Sequence, residues 1–241
     1  MMFADDLLLL SISITHLQYL IDICVKVLGA CDLQINSKKS ACIRIGPRHH
    51  ITNCKLILNE LPVIWKSDLK YLGVLIVSSK KFKCNLQINK QKFYRATNGI
   101  LGKIGTRAPL NLLLSLIDTF CMPVLLYGME AVSLLKSERN TLDFVYFTVL
   151  CKLFHVKENH TISLCQFYTG CLPPSFRLDI RRFTFFRGLQ KSPLQNALPS
   201  QLFVIGDKEE YNSLVKTYSL LDNESIWTMK SKVFNCLKLN I

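Results

Sequence analysis

The sequence predicts an α+β fold: short antiparallel hairpins with one helix over residues 1–79, then an all-α chain over residues 80–155 and 156–241. Three observations carry this reading. Before residue 80, apolar residues come in short alternating runs broken by turn residues, the period of half-buried strands. Beyond it they recur every three or four positions, the period of amphipathic helices. Finally, Asp5 and Asp6 stand side by side between Phe3 and a run of leucines. Two adjacent carboxylates are poor strand formers and costly to bury, and the tip of a hairpin accommodates both.

The elements follow in order. Leu7 to Ser13 reads as the strand leaving the acidic turn. Thr15 to Gly29 carries a helical stripe of Leu17, Leu20, Ile21, Cys24, Val25 and Leu28, with Thr15 as cap and Gly29 as stop. Leu33 to Lys39 is a basic turn, and Ser40 to Ile45 a strand that Gly46-Pro47 ends. Leu56–Leu58 and Val63–Trp65 flank Asn59-Glu60 as a second hairpin, and Lys70 to Val77 is a further strand. Ser78 to Lys83 separates the two parts. Asn85 to Ile104 is a basic amphipathic helix. Pro109 opens the next at a favourable first-turn position; it runs to Cys121, where Pro123 bends or restarts it. Glu138–Phe154 forms a helix behind a Ser137 cap, followed by Ile162–Tyr168 and by Ser175–Leu189 with its four arginines. Asn212–Leu221 and Glu224–Leu237 complete the helices after Pro199.

Composition narrows the function classes. Hydrophobic residues make up 49% and charged residues 20%, which excludes a disordered chain. Lys and Arg number 30 against 17 Asp and Glu, and the net charge of +13 favours an anionic partner, most often nucleic acid. The most apolar window, Leu110 to Leu135, is interrupted by Asp118, Pro123 and Glu130, so no membrane span is expected. The apolar run after Asp6 is short and acid-flanked, unlike a signal peptide. The 10 cysteines form no Cys-x-x-Cys pair and sit mostly in apolar runs, the usage of free thiols in a reducing, intracellular compartment. His155, His160, Cys165 and Cys171 carry zinc-binding side chains, but their spacing matches no compact finger.

Four signals, in this order, resemble one family. Phe3-Ala4-Asp5-Asp6 followed by leucines matches a metal-binding hairpin that reads Tyr or Phe, Ala, Asp, Asp. Leu33-Gln34-Ile35-Asn36-Ser37-Lys38-Lys39-Ser40 is similar to a Gly-Leu-x-Ile-Asn-x-x-Lys-Thr element, with Cys31-Asp32 before Leu33 and Ser40 in place of the Thr. Lys70-Tyr71-Leu72-Gly73-Val74 is similar to a primer-grip strand. Met122 to Gly128 and the Arg181–Arg187 stretch are similar to the thumb and the region beyond it. Together, over residues 1 to 190, they resemble the reverse transcriptase of non-LTR (LINE-type) retrotransposons. The resemblance implies a partial polymerase palm over residues 1–79, a thumb-like helical region over 80–155 and a C-terminal helical region over 156–241. It also implies RNA-directed DNA synthesis, nucleotidyl transfer from a dNTP to a primer 3′ end on an RNA template, and action in the nucleus.

That chemistry is an in-line displacement assisted by two divalent ions about 3.5–4 Å apart. Mg²⁺, or Mn²⁺, takes oxygen ligands, usually carboxylates and substrate phosphates. Asp5 is then the principal ligand from the hairpin. Asp6, one residue along, points towards the other face and supports the charge of the site. By resemblance Lys39 lies near the incoming nucleotide, where a cation stabilises pyrophosphate charge or supplies a proton. Tyr71 and Gly73 shape the strand that holds the primer end. Lys90, Lys92, Arg95 and Lys103 are candidate contacts to template–primer phosphates, with Arg107 beside them. In the family a further carboxylate comes from a palm strand well before this hairpin, and fingers grip template and nucleotide. Neither is found in the sequence: Asp22, Asp32, Asp68, Asp118 and Asp143 lie on no strand of the expected type. The expectation is a C-terminal fragment, inactive alone, with a sheet edge and an apolar face uncovered. The alternative is a non-catalytic, basic, nucleic-acid-binding helical module.

Overall fold

A computed structural model describes residues 2–52, 54–105, 108–191 and 208–238. The chain mixes helices with small sheets and divides into two compact units, Met1–Asn85 and Leu86–Ile241.

In the first unit β1 (Met2–Phe3) and β2 (Asp6–Leu7) form an antiparallel hairpin with Phe3 opposite Asp6. The returning strand is shorter than Leu7–Ser13, because the chain leaves the pairing after Leu7. The helix that follows, α1 (Ile14–Gly29), is capped by Ser13 and not by Thr15. Ser13 is extended, and its Oγ accepts from the His16 N–H at 3.1 Å, which places Thr15 inside the first turn. The strand expected over Ser40–Ile45 contracts to β3 (Ala41–Cys42), and it pairs in parallel with β6 (Ile64–Trp65). The Arg44 carbonyl accepts from Ser78 Oγ at 2.8 Å, and the Arg44 guanidinium lies over the Trp65 ring at 4.9 Å. Between them, β4 (Ile57–Leu58) and β5 (Leu61–Pro62) form the second hairpin. Its turn residues Asn59 and Glu60 have φ of 50° and 67°, the conformation of a type I′ turn.

The stretch read as one strand over Lys70–Val77 is two. β7 (Asp68–Tyr71) and β8 (Val74–Val77) are antiparallel with Tyr71 opposite Val74, and Leu72-Gly73 is the loop between them. Both loop residues have positive φ, 45° and 85°, which glycine adopts without strain and which reverses the chain there. β9 (Lys83–Cys84) adds a third strand to β8.

The core of this unit is small. Ile21 of α1 packs with Leu56, Leu58 and Val63, and Leu17, Val25 and Trp65 close around them. The Gln18 carboxamide stands in for a strand neighbour: it donates to the Ile57 carbonyl at 2.9 Å and accepts from the Ile57 N–H at 2.8 Å. α1 has a second apolar stripe at four-residue spacing, Tyr19, Ile23 and Val27, which faces solvent; Tyr19 is 61% and Val27 59% exposed.

The second unit is helical. It comprises α2 (Gln87–Ile104), α3 (Leu110–Leu116), a π-turn (Ile117–Cys121) running into α4 (Met122–Leu125), a 3₁₀ turn (Met129–Ala131), α5 (Lys136–Phe154), α6 (Asn159–Thr169), α7 (Pro174–Lys191), α8 (Lys208–Tyr218) and α9 (Ile226–Lys238). The π-turn has a cause in Pro123, which has no N–H and crowds the preceding turn; widening that turn keeps the axis going. α5 begins one residue before Ser137, and the Glu138 carboxylate accepts from the Leu135 N–H at 2.9 Å. None of the described helices is long and apolar enough to cross a membrane.

Two apolar cores share α7. One gathers Phe93, Ile117, Leu125, Leu142, Tyr146 and Leu150 around Leu178. The other gathers Phe183 and Phe186 with Tyr211, Tyr218, Met229 and Val233. Buried polar groups tie the helices across these cores. Asn89 of α2 donates to the Leu125 and Tyr127 carbonyls at 3.3 and 3.1 Å. Arg139 pairs with Asp179, whose other oxygen accepts from the Tyr218 hydroxyl at 2.7 Å. Arg177 donates to Asp118 at 2.7 Å and to the Leu172 carbonyl at 2.6 Å. Arg182, 2% exposed, donates to Glu210 at 2.5 Å and to the Val132 carbonyl at 3.2 Å.

Burial raises the Tyr218 hydroxyl well above its ordinary value, and the Asp179 carboxylate adds to the rise. Burial and Asp222 push Tyr211 up to about 12. A tyrosine with a raised folded pKa contributes stability that is intact below the unfolded value of about 10 and lost as pH climbs past it. The melting temperature is therefore expected to hold to about pH 10 and fall above it. Tyr218→Phe costs about 1 kcal/mol at pH 8, with a shallower alkaline decline, in thermal melts followed by circular dichroism across pH 8–12.

Candidate functional site

The acidic pair sits where the chain reverses. Phe3 and Asp6 are the last paired residues, so Ala4 and Asp5 form a two-residue loop. Ala4 has φ of 51°, a left-handed conformation that costs a residue with a Cβ roughly 1–2 kcal/mol and that such loops ordinarily give to glycine. Asp5 is at the tip and Asp6 opens β2; both are exposed. Among the described residues no hydrogen bond or ion pair reaches either carboxylate. Exposed carboxylates are the kind of oxygen donor that hard cations such as Mg²⁺ and Mn²⁺ take. These two do not make up the ligand set for two ions. Among the described residues no group of three or more His, Cys, Asp or Glu is placed to hold a metal, which covers His155, His160, Cys165 and Cys171 as well.

Lys39 lies on a turn that Asn36 organises. The Asn36 Oδ1 accepts from the N–H groups of Lys38 and Lys39 at 3.1 and 3.2 Å, and its carbonyl accepts from the Ser40 N–H at 3.0 Å. Asn59 of the second hairpin donates to the Ile35 carbonyl at 3.1 Å and anchors the entry to this turn. Lys39 itself is exposed. Tyr71 and Gly73 belong to the β7–β8 hairpin, Tyr71 at the last paired position and Gly73 in the loop. The acidic hairpin, the Asn36 turn and the β7–β8 hairpin are thus all in the first unit, each on its own local framework. β1–β2 and β7–β8–β9 are separate small sheets.

The basic candidates divide by helix geometry. At 3.6 residues per turn, Lys92, Arg95 and Lys103 fall on one face of α2, away from the buried Asn89, Phe93 and Thr97; all three are exposed. Lys90 is half-buried and lies off that face. α2 contains no Asp or Glu, so no pairing along the helix neutralises these cations. Arg107 lies outside the described residues. The arginines of α7 behave differently. Arg177 and Arg182 are ion-paired, and Arg187 donates to the Glu224 carbonyl at 2.8 Å. Their residue types gave no hint of this, because the partners Asp118, Glu210 and Glu224 are remote in sequence.

No family model, no curated protein and no solved structure matches the chain. The functional reading therefore stands on its own residues. The β7–β8 loop offers a direct check of the local geometry. Gly73→Val places a β-branched side chain at φ of 85°. It is expected to destabilise the hairpin by about 1–2 kcal/mol and to speed exchange of the β7 and β8 amides in hydrogen-exchange mass spectrometry.

Proposed function

We propose that this chain derives from the RNA-directed DNA polymerase of a LINE-type retrotransposon. Its first unit is part of the palm, and its second unit comprises the thumb-like and C-terminal helices. The observation that carries the reading is the acidic hairpin: Asp5 and Asp6, exposed and unpaired, at a tight reversal of the chain. The Asn36 turn bearing Lys39 and the Tyr71-Leu72-Gly73-Val74 hairpin follow it in the order of the resemblance.

In this reading Asp5 and Asp6 contribute ligands for a divalent ion, which when bound supplies charge stabilisation for phosphoryl transfer. Lys39 offers a cation to the incoming nucleotide, and the β7–β8 loop, with no side chain at Gly73, permits close approach of a primer backbone. Lys92, Arg95 and Lys103 hold duplex phosphates without reading sequence. Two carboxylates are too few for two-ion chemistry, so the chain by itself binds and does not polymerise. One observation favours a second reading, a non-catalytic nucleic-acid-binding helical module: the anion-free cationic face of α2 needs nothing from the acidic hairpin.

Two measurements separate these. In primer extension on an RNA template with Mg²⁺ or Mn²⁺, the isolated chain is expected to add no nucleotides; robust template-dependent synthesis contradicts the proposed incompleteness. In RNA–DNA duplex binding as a function of salt, replacing Lys92, Arg95 and Lys103 together by Ala is expected to flatten the log–log salt slope by about two to three. Duplex affinity that falls with Asp5→Asn only when Mg²⁺ is present supports the polymerase reading. Affinity indifferent to Asp5 and to Mg²⁺ supports the helical module.

A further inference from the structure

β7 is an outer strand of the sheet ordered β7-β8-β9. In a hairpin with a two-residue loop, the residues flanking the loop exchange main-chain hydrogen bonds, and inward and outward groups alternate from there. Tyr71 and Val74 flank Leu72-Gly73, so Tyr71 and Leu69 turn their N–H and C=O groups to β8. Neighbouring bonds keep the same alternation: the Ser78 N–H donates to the Ser67 carbonyl at 2.7 Å, and the Asn85 N–H donates to the Leu75 carbonyl at 2.8 Å on the far side of β8. The main-chain groups of Asp68 and Lys70 therefore point away from the sheet, and among the described residues no hydrogen bond reaches them. We propose that this edge of β7 pairs with the same edge of a second copy of the chain, antiparallel about a twofold axis at Leu69.

The side chains select that partner and that register. Asp68 and Lys70 are exposed on one face of the strand, and Leu69 and Tyr71 are half-buried on the other. With the axis at Leu69, Asp68 of each copy stands opposite Lys70 of the other, at the positions whose outward N–H and C=O groups can bond. Unlike charges directly opposite are favourable, and like charges are not. Moving the axis to Lys70 sets lysine against lysine, and moving it to Asp68 sets aspartate against aspartate. An edge of one sign repels its own copy, whereas this alternating edge accepts one in a single register. On the other face Leu69 meets Leu69 of the second copy. The contact is short, below the roughly 800 Å² per partner of a stable interface, so the dimer is expected to be weak and concentration-dependent. It lies in the first unit and does not rest on the polymerase reading.

Sedimentation equilibrium of the full chain up to millimolar concentration tests the pairing, with circular dichroism to show that each variant is folded. The wild-type chain is expected to dimerise. Lys70→Asp and Asp68→Lys each oppose like charges and are expected to weaken the dimer about tenfold. An equal mixture of the two variants is expected to recover wild-type affinity, because the acidic edge of one meets the basic edge of the other. In amide exchange followed by NMR, the Asp68 and Lys70 amides of the wild-type chain are expected to slow as concentration rises. A chain that stays monomeric, a dimer indifferent to both substitutions, a mixture no tighter than either variant alone, or Asp68 and Lys70 amides indifferent to concentration overturns the proposal.

Discussion

Charge buried in a protein interior must be paired where it lies, and that constraint organises the helical unit. α7 carries arginines into the interior of the helical unit, and its described pairings fasten it to the π-turn, to α5 and to α8. Arg177 reaches Asp118 of the π-turn, Arg182 reaches Glu210 of α8, and Asp179 receives Arg139 of α5 and Tyr218 at the end of α8. Apolar residues of the same helix enter both cores. Removing one partner of such a pair strands the other in a poorly solvated place, so the pairs specify how the helices meet even where their net stabilisation is small.

The same constraint sorts the chain's net charge of +13 into two kinds. Arg177 and Arg182 of α7 are neutralised internally by Asp118 and Glu210 and are poor candidates for an external anion. The cations on α2 share an exposed face with no carboxylate on the helix, and their charge is directed outward. In the first unit the contrast runs the other way: Asp5 and Asp6 are anions in a basic chain, exposed on a loop whose Ala4 is held in an unfavourable conformation. A strained, charged, unpaired turn does little for stability, and that points to a role outside the fold.

Much of this was legible in the sequence because it is local. The acidic reversal at Asp5, the Asn59-Glu60 hairpin, α1 and the long helices all follow from turn residues or from apolar spacing within a few positions. The errors arise where neighbouring residues compete for one role or where distant residues decide. Ser13 outcompeted Thr15 as cap because its hydroxyl reaches the His16 N–H. Tyr71-Leu72-Gly73-Val74 looks like one β-rich run, yet Gly73 permits a reversal that the pairing of Tyr71 with Val74 completes. β3 finds a parallel partner in β6, more than twenty residues away. At the candidate site, periodicity located the α2 cations but could not separate Lys90 from Lys92, which needs the helix face. Nor could it foresee that, among the described residues, Glu130 Oε2 and Arg181 Nη1 would be buried without a hydrogen-bond partner.

In the function proposed for this chain, the acidic hairpin brings a divalent ion to the end of a nucleic-acid strand. Iron(II) placed in such a site generates hydroxyl radicals that cut whatever backbone lies beside it. In the presence of Fe²⁺, ascorbate and peroxide, the chain bound to an RNA template carrying a labelled DNA primer should cut the primer near its 3′ end, and Asp5→Asn should abolish that cutting. Cutting that is absent, that spreads evenly along the duplex, or that persists with Asp5→Asn contradicts the claim.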